Sequence, residues 1–259
     1  MLGPIIEYFC LNRKFLIYNL VLRNLKVRYR KSFFGLFWTL LIPACSAGIY
    51  FLVFNYILKV QVPNYLLHIL SGLIPWAYFT SSLASLEVVA ANHELLGKIP
   101  LPPQALVLAE SLTHFLNLVL SLPILIIAIL LHDLPLSLTL LQYPLLALIL
   151  GFTVHSTFLI LSLGYVYFRD LKYLVPLVLQ FGFYLTPIMY DIKMIPEQYR
   201  GLLGLNPMGH LFSAFHKIVV AQEWVPLTDW GIILGWSAVL SLLAFALYKK
   251  VRYSVVELL

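Results

Sequence analysis

Long apolar stretches separated by short polar ones dominate the pattern of this chain. Six runs stand out, at Phe37–Leu58, Leu66–Leu86, Ala105–Leu131, Tyr143–Phe168, Leu174–Tyr190 and Trp230–Tyr248. A helix needs about 20 apolar residues to cross a bilayer, so each run predicts a transmembrane helix. The fourth is long enough to tilt and the fifth is short. Before the first run, Tyr18, Leu22, Leu25 and Tyr29 recur at i, i+4, i+7 and i+11, while Arg23, Lys26 and Arg30 form a separate stripe. This spacing predicts an amphipathic helix in the membrane interface, apolar side in lipid. After the fifth run, Asn206-Pro207 pairs a capping residue with proline at the first helical position. Leu211, Phe212, Phe215, Ile218 and Val219 then follow at helical spacing. A second amphipathic helix is expected there, interfacial or re-entrant, because backbone that enters a membrane without crossing must be sheltered by protein.

The expected fold is an all-α integral membrane protein. It has six transmembrane helices, an N-terminal amphipathic interfacial helix and outer re-entrant or amphipathic helices between spans five and six. It forms one domain over residues 1–259: a leader (1–36), spans one to five (37–190), an outer segment (191–229), and span six with a tail (230–259).

Composition changes the picture by exclusion. Of 259 residues, 61% are hydrophobic and 11% charged, with a mean hydropathy of +0.92. A soluble domain is about 45–50% apolar and about 25% charged, so a water-soluble globule could not hide this surface. Cys10 and Cys45 imply no disulfide framework. Ile42-Pro43-Ala44-Cys45 faintly resembles a lipoprotein cleavage site. It stands too late, behind a long basic segment, so the N-terminus is expected to be retained.

Charge supplies the orientation. With the N-terminus in the cytoplasm, the leader carries Arg13, Lys14, Arg23, Lys26, Arg28, Arg30 and Lys31. The loop after span two has Lys98, the link after span four has Arg169 and Lys172, and the tail has Lys249, Lys250 and Arg252. The opposite side holds only Lys59, Lys193, Arg200 and Lys217. Basic residues accumulate in the cytoplasm. Both termini are therefore expected there, in a multi-pass protein of the cytoplasmic (inner) membrane.

Candidate chemistry is sparse. Glu110 and His114 share a face of span three at i, i+4 and can pair, and His68 and His155 also lie in apolar runs. Ionisable residues at membrane depth are functional candidates. Metal, nucleophile and phosphate-loop signatures are absent, so any ATPase driving this protein is another chain. The loop Asn92-His93-Glu94-Leu95-Leu96-Gly97-Lys98-Ile99-Pro100 reads as a short capped helix stopped by proline. Its Leu95, Leu96 and Ile99 form an apolar knob, which suits either a partner's groove or the chain's own bundle. Aromatics concentrate between Phe33 and Tyr56 and between Tyr165 and Tyr190. Trp76, Tyr78, Phe181, Phe183 and Tyr184 sit too deep for an interfacial belt. Aromatic faces stack on sugar rings, although helix packing explains many such residues.

Four stretches in order carry a family resemblance. They are Arg28-Tyr29-Arg30-Lys31-Ser32 running into Gly35, Trp38 and Pro43; Asn92 to Pro102; Phe168-Arg169-Asp170-Leu171-Lys172-Tyr173 leading to Pro176 and Thr186-Pro187-Ile188; and Asn206-Pro207-Met208. Together they resemble the permease subunit of polysaccharide-exporting ABC transporters, the type 2 exporters of O-antigen, capsule and teichoic acid. The resemblance implies a homodimer with two copies of a nucleotide-binding ATPase subunit. That partner would bind ATP and magnesium, and this chain would carry no cofactor and catalyse no reaction. A coupling helix of Asn92, Leu95, Leu96, Lys98, Ile99 and Pro100 would dock in the ATPase, braced by Arg169 and Asp170. Arg23, Lys26, Arg28, Tyr29 and Arg30 would form a gate helix that attracts the pyrophosphate of a polyprenyl-linked glycan. Trp38, Trp76, Tyr78, Phe181, Phe183 and Tyr184 would line the glycan path. Other readings remain open: an ABC exporter of a drug or small lipid, a proton-coupled secondary transporter using Glu110 and His155, or a membrane transferase using Asp191 or His210. Membrane lipid is an expected partner and nucleic acid is not.

Overall fold

In the computed structural model, the described residues are 14–59, 62–98, 101–204, 206–252 and 254–258. Among them the secondary structure is helical throughout, with no strand. The leader helix α1 spans Lys14–Tyr29 and stops where Lys31 adopts a left-handed φ of 63°, a common way to end a helix. Helix α2 (Trp38–Phe51) follows a single 3-10 turn at Gly35–Phe37 and runs on as a π-helix to Ile57. Next come α3 (Tyr65–Ala84), two short helices α4 (Val88–Ala91) and α5 (His93–Lys98), and α6 (Pro103–Leu131). After them lie α7 (Tyr143–Tyr167), α8 (Leu171–Leu185), α9 (Glu197–Gly204), α10 (Pro207–His216), α11 (Leu227–Val251) and α12 (Ser254–Glu257).

Local chemistry explains several boundaries. Pro103 and Pro207 occupy first-turn positions, where a missing N–H costs nothing. The Asn206 side chain accepts the Met208 amide at 3.0 Å, capping α10 as expected. Helix α11 has Asp229 in its first turn and Lys249 and Lys250 in its last, matching charge to the helix dipole.

Among the described residues, five segments are long and apolar enough to cross a membrane: Gly35–Ile57, Tyr65–Ala84, Pro103–Leu131, Leu138–Tyr167 and Leu227–Val251. The fifth expected run gives a shorter helix. It ends at Leu185, because Pro187 forces Thr186 into extended backbone. At 15 residues, α8 rises about 22 Å, short of a bilayer core. Residues 186–190 leave the helix and are held by side chains from elsewhere.

Among the described residues, two large core clusters lie along the bundle, beside a small third one of Trp76, Ile188, Met189 and Phe212. One gathers Leu20, Leu86, Val89, Leu106, Phe158, Tyr248 and Val255 around the leader, the 85–102 loop and the tail. The other gathers Leu67, Ile69, Leu146, Leu150, Phe215 and Ile218 near the outer helices. Helices α3 and α7 are the central pair, each mostly buried. Leu211, Phe212, Phe215, Ile218 and Val219 are at most 2% exposed, so the whole stripe read after Asn206 turns inward against α3, α7 and α11.

The leader's buried face differs from the one its hydrophobic spacing predicts. It packs along α6, with Ile17, Leu20 and Val21 buried and Tyr18 59% exposed. Asn24 bonds Glu110, Arg28 bonds His114 and Tyr29 bonds Asn117. Partner numbers rise with leader numbers, so the two helices run parallel. The packed face lies beside the stripe read from hydrophobicity, because polar partners on α6 draw Asn24 and Arg28 inward.

Candidate functional site

The leader and α6 meet in a polar cluster. Arg28 donates from Nη2 to Glu110 Oε1 at 2.7 Å, and the Asn24 amide donates to Oε2 at 2.7 Å. His114 Nε2 lies 3.3 Å from Oε1, so the i, i+4 pair forms. The Arg28 guanidinium also rests against the His114 ring, its terminal nitrogens 3.2 Å from Nδ1 and Nε2. Ser85 Oγ stands 3.1 Å from His114 Nε2. Arg23 reaches Asn92 Oδ1 at 3.2 Å, tying the leader to the 85–102 loop. Tyr29 donates to Asn117 Oδ1 at 3.2 Å. Burial raises its phenol above the ordinary range, so it remains a donor. Lys26 and Arg30 are exposed.

Arg28 borders two cavities. One, of about 500 Å³, is lined by Arg23, Asn24, Val27, Arg28, Asn92 and Glu110. The other, of about 390 Å³, is lined by residues that include Arg28, Ser32, Pro43, Ile74, His114 and Asn117. Trp38 stands at that second cavity, with Nε1 donating to Ser32 Oγ at 3.1 Å.

The candidate path aromatics separate into groups. Trp76, Phe183 and Tyr184 converge on one groove of about 500 Å³ with Tyr50, Thr80, Pro176 and Gln180. Trp76 and Phe183 have centroids 5.9 Å apart, and Phe183 meets Tyr184 edge-on at 5.4 Å. Tyr78 leaves this set. It is 3% exposed and packs edge-on against Phe115, with Ser111 Oγ 3.5 Å from its hydroxyl. Trp38 lies at the leader corner, and Phe181 is exposed without lining the groove. Tyr50 and Gln180 are groove residues that sequence reading missed. Tyr50 sat inside an aromatic-rich run, which was the available signal, and Gln180 gave none.

The coupling segment is only partly a knob. Leu96 is 7% exposed and packs in the chain's own core with Val89, so the alternative of self-packing holds for this side chain. It cannot enter a partner's cleft in this conformation. Leu95 is half-buried, whereas His93 and Glu94 are exposed. The backbone of Lys98 ends α5, and Ile99 and Pro100 lie outside the described residues. Arg169 and Asp170 are exposed at the link before α8. Tyr165 donates to Glu87 Oε1 at 3.3 Å, joining the last turns of α7 to the segment that follows α3.

At the opposite end, a stack of three rings holds residues 187–189. Tyr65 donates to Met189 O at 3.0 Å and His216 Nε2 to Pro187 O at 2.8 Å, and the His68 ring stacks on both of these rings. Ser71 Oγ meets His216 Nδ1 at 2.8 Å. Irregular backbone beside membrane helices needs such partners. A second clamp joins α10 to α11: Asp229 pairs with His210 at 3.1 Å and with Lys217 at 2.6 Å. His210, a candidate transferase residue, is thus engaged in holding two helices together.

Among the described residues, no three His, Cys, Asp or Glu side chains gather as a metal site. The arrangement offers anion capture near the leader and aromatic stacking in the groove. Comparison with known proteins agrees with a transport role. The chain is 32% identical to an O-antigen export system permease protein RfbA of Myxococcus xanthus, over 86% of this chain and 89% of the relative. A protein of the same description from Klebsiella pneumoniae is 30% identical over 92% of each chain. The polysialic acid transport protein KpsM of Escherichia coli is 26% identical over 80% of this chain and 82% of its own length. The model of the ABC-2 type transporter family matches residues 16–220, and the chain belongs to that family.

Proposed function

We propose that this chain is the membrane subunit of an ATP-driven exporter that moves a lipid-linked polysaccharide across the cytoplasmic membrane. The observation that carries this reading is the similarity to O-antigen export permeases over 92% of the chain. The groove of Trp76, Phe183 and Tyr184 supports it, because aromatic faces suit sugar rings and tolerate a sliding polymer. In this reading α8 completes a sixth span, its short helix extended by residues 186–190. Basic residues at the leader end put both termini in the cytoplasm.

The working unit is a homodimer with two ATPase subunits, which supply ATP and magnesium chemistry. ATP closes the partner dimer, pushes the exposed face of the 88–98 segment, and switches the bundle between two arrangements. The leader's arginines draw the pyrophosphate of a polyprenyl carrier by an attraction that added salt weakens. The outer segment 191–229 forms the exit gate, with its helices after Asn206 closing the path. Tagged purification in mild detergent tests the reading. A stoichiometric ATPase with Walker motifs, together with loss of surface glycan on deletion, is the expected result. A lone homo-oligomer at low salt, with glycan export intact on deletion, overturns it.

A further inference from the structure

The two leader arginines that face a cavity already have partners. The 500 Å³ cavity between leader, 85–102 loop and α6 presents donors from Arg23, Asn24 and Arg28. The carboxylate among its lining residues is Glu110, and both of its oxygens are occupied, by Arg28 and Asn24 at 2.7 Å each. The Glu110 side chain is 13% exposed and that of Arg28 29%. A half-sheltered guanidinium without a counter-ion is costly to desolvate, so the resting leader needs an anion at this place. Carboxylate and phosphate oxygens accept from a guanidinium in the same way. A phosphate entering the cavity therefore competes with Glu110 for the same N–H groups.

We propose that Glu110 is an internal stand-in for an anionic phosphate headgroup, holding Arg28 until a phosphate in the Arg23–Arg28 cavity displaces it. This rests on the reading of the leader as the headgroup-capturing element. Glu110 is then a positioning residue: it acts through Arg28 and sets how tightly the leader grips a headgroup. Its presence also disfavours occupation by neutral amphiphiles, which offer the guanidinium nothing in exchange for the carboxylate.

The test uses the full chain in lipid nanodiscs, with farnesyl pyrophosphate as probe and inorganic pyrophosphate and farnesol as comparison arms. Glu110→Gln is expected to bind farnesyl pyrophosphate at least about threefold more tightly, the scale of a partly exposed ion pair. Arg28→Gln is expected to bind it more weakly, and the double variant no better than Arg28→Gln alone. Inorganic pyrophosphate follows the same order if the cavity reads phosphate alone, and shows no order if the chain is also required; farnesol is unaffected. Glu110→Asp, which shortens the reach to Arg28, moves binding in the same direction and serves if Glu110→Gln does not fold. Binding unchanged in both Glu110 variants but weakened by Arg28→Gln overturns the stand-in and leaves the capturing leader intact. So does a gain that persists without Arg28. Binding unaffected by both Arg23→Gln and Arg28→Gln overturns the capturing leader itself.

Discussion

The imidazole of His216 lies flat on that of His68, with ring centroids 3.8 Å apart and planes 10° from parallel. One ring belongs to the outer helix α10 and the other to the central helix α3. Tyr65 extends the stack, 6.3 Å from His68 at 13°, and the two outer rings, Tyr65 and His216, donate to the carbonyls of Met189 and Pro187. The end of α8 and the outer segment are thereby fixed to one another through α3.

Replacing His216 by alanine removes the donor to Pro187 O and the partner of Ser71. Leaving a buried carbonyl unpaired costs about 1–3 kcal/mol. A lower thermal unfolding midpoint and faster proteolysis of residues 191–226 are expected. An unchanged midpoint in purified protein would show that the clamp is dispensable.

Acid should loosen the same clamp. Burial, and then the neighbouring His68, hold the His216 imidazole well below the ordinary histidine range. The unfolded chain binds this proton near about pH 6.5, and the folded chain only at lower pH. Stability is therefore full above about pH 6.5 and falls as pH drops toward the folded value. Unfolding midpoints at about pH 7.5 and about pH 5.5 should diverge in the native protein and diverge less in His216→Gln.

Gly72 allows the close approach of α3 to this segment. An added Cβ would stand 2.9 Å from His216 Cε1 and 3.0 Å from Ile188 O. The backbone oxygen cannot move aside without shifting residues 186–190. Gly72→Ala is expected to cost about 1–3 kcal/mol, read as a depressed unfolding midpoint, while Gly48→Ala, with open space around it, costs little.

The 88–98 segment separates stability from docking. Leu96→Ala opens a hole in the core and should cost about 2–3 kcal/mol. His93→Ala, on the exposed face, should leave the midpoint unchanged and weaken association with the ATPase. Pull-down against unfolding midpoint distinguishes the two, and equal effects of both variants on both readouts would remove the distinction.

Tyr184 is 64% exposed while lining the aromatic groove. Tyr184→Ala should lower glycan export severalfold with no change in folding, because little packing is lost. Phe181→Ala, on the same helix but outside the groove, should leave export near the native rate.

The residues that sequence alone located are those whose role depends on one segment's own chemistry. Run length gave the long spans within a few residues, because a bilayer imposes length and apolarity on each helix separately. Asn206-Pro207 announced α10, since a cap and a first-turn proline act within one turn. The Glu110–His114 pair was legible because helical geometry places i and i+4 together. What only the tertiary structure decided involves two segments at once. Periodicity placed Tyr18 and Leu22 on the leader's working face, yet Asn24 and Arg28 define it, since their partners lie 86 residues away. Leu96 reads as an exposed knob until Val89 and the tail's Val255 join its cluster. Trp76 and Tyr78, two residues apart on α3, face different neighbours, and only the packing of α8 chose which of them lines the groove. Hydrophobicity tells a side chain to leave water. Which neighbour receives it is settled by which polar groups and ring faces the other helices bring into reach.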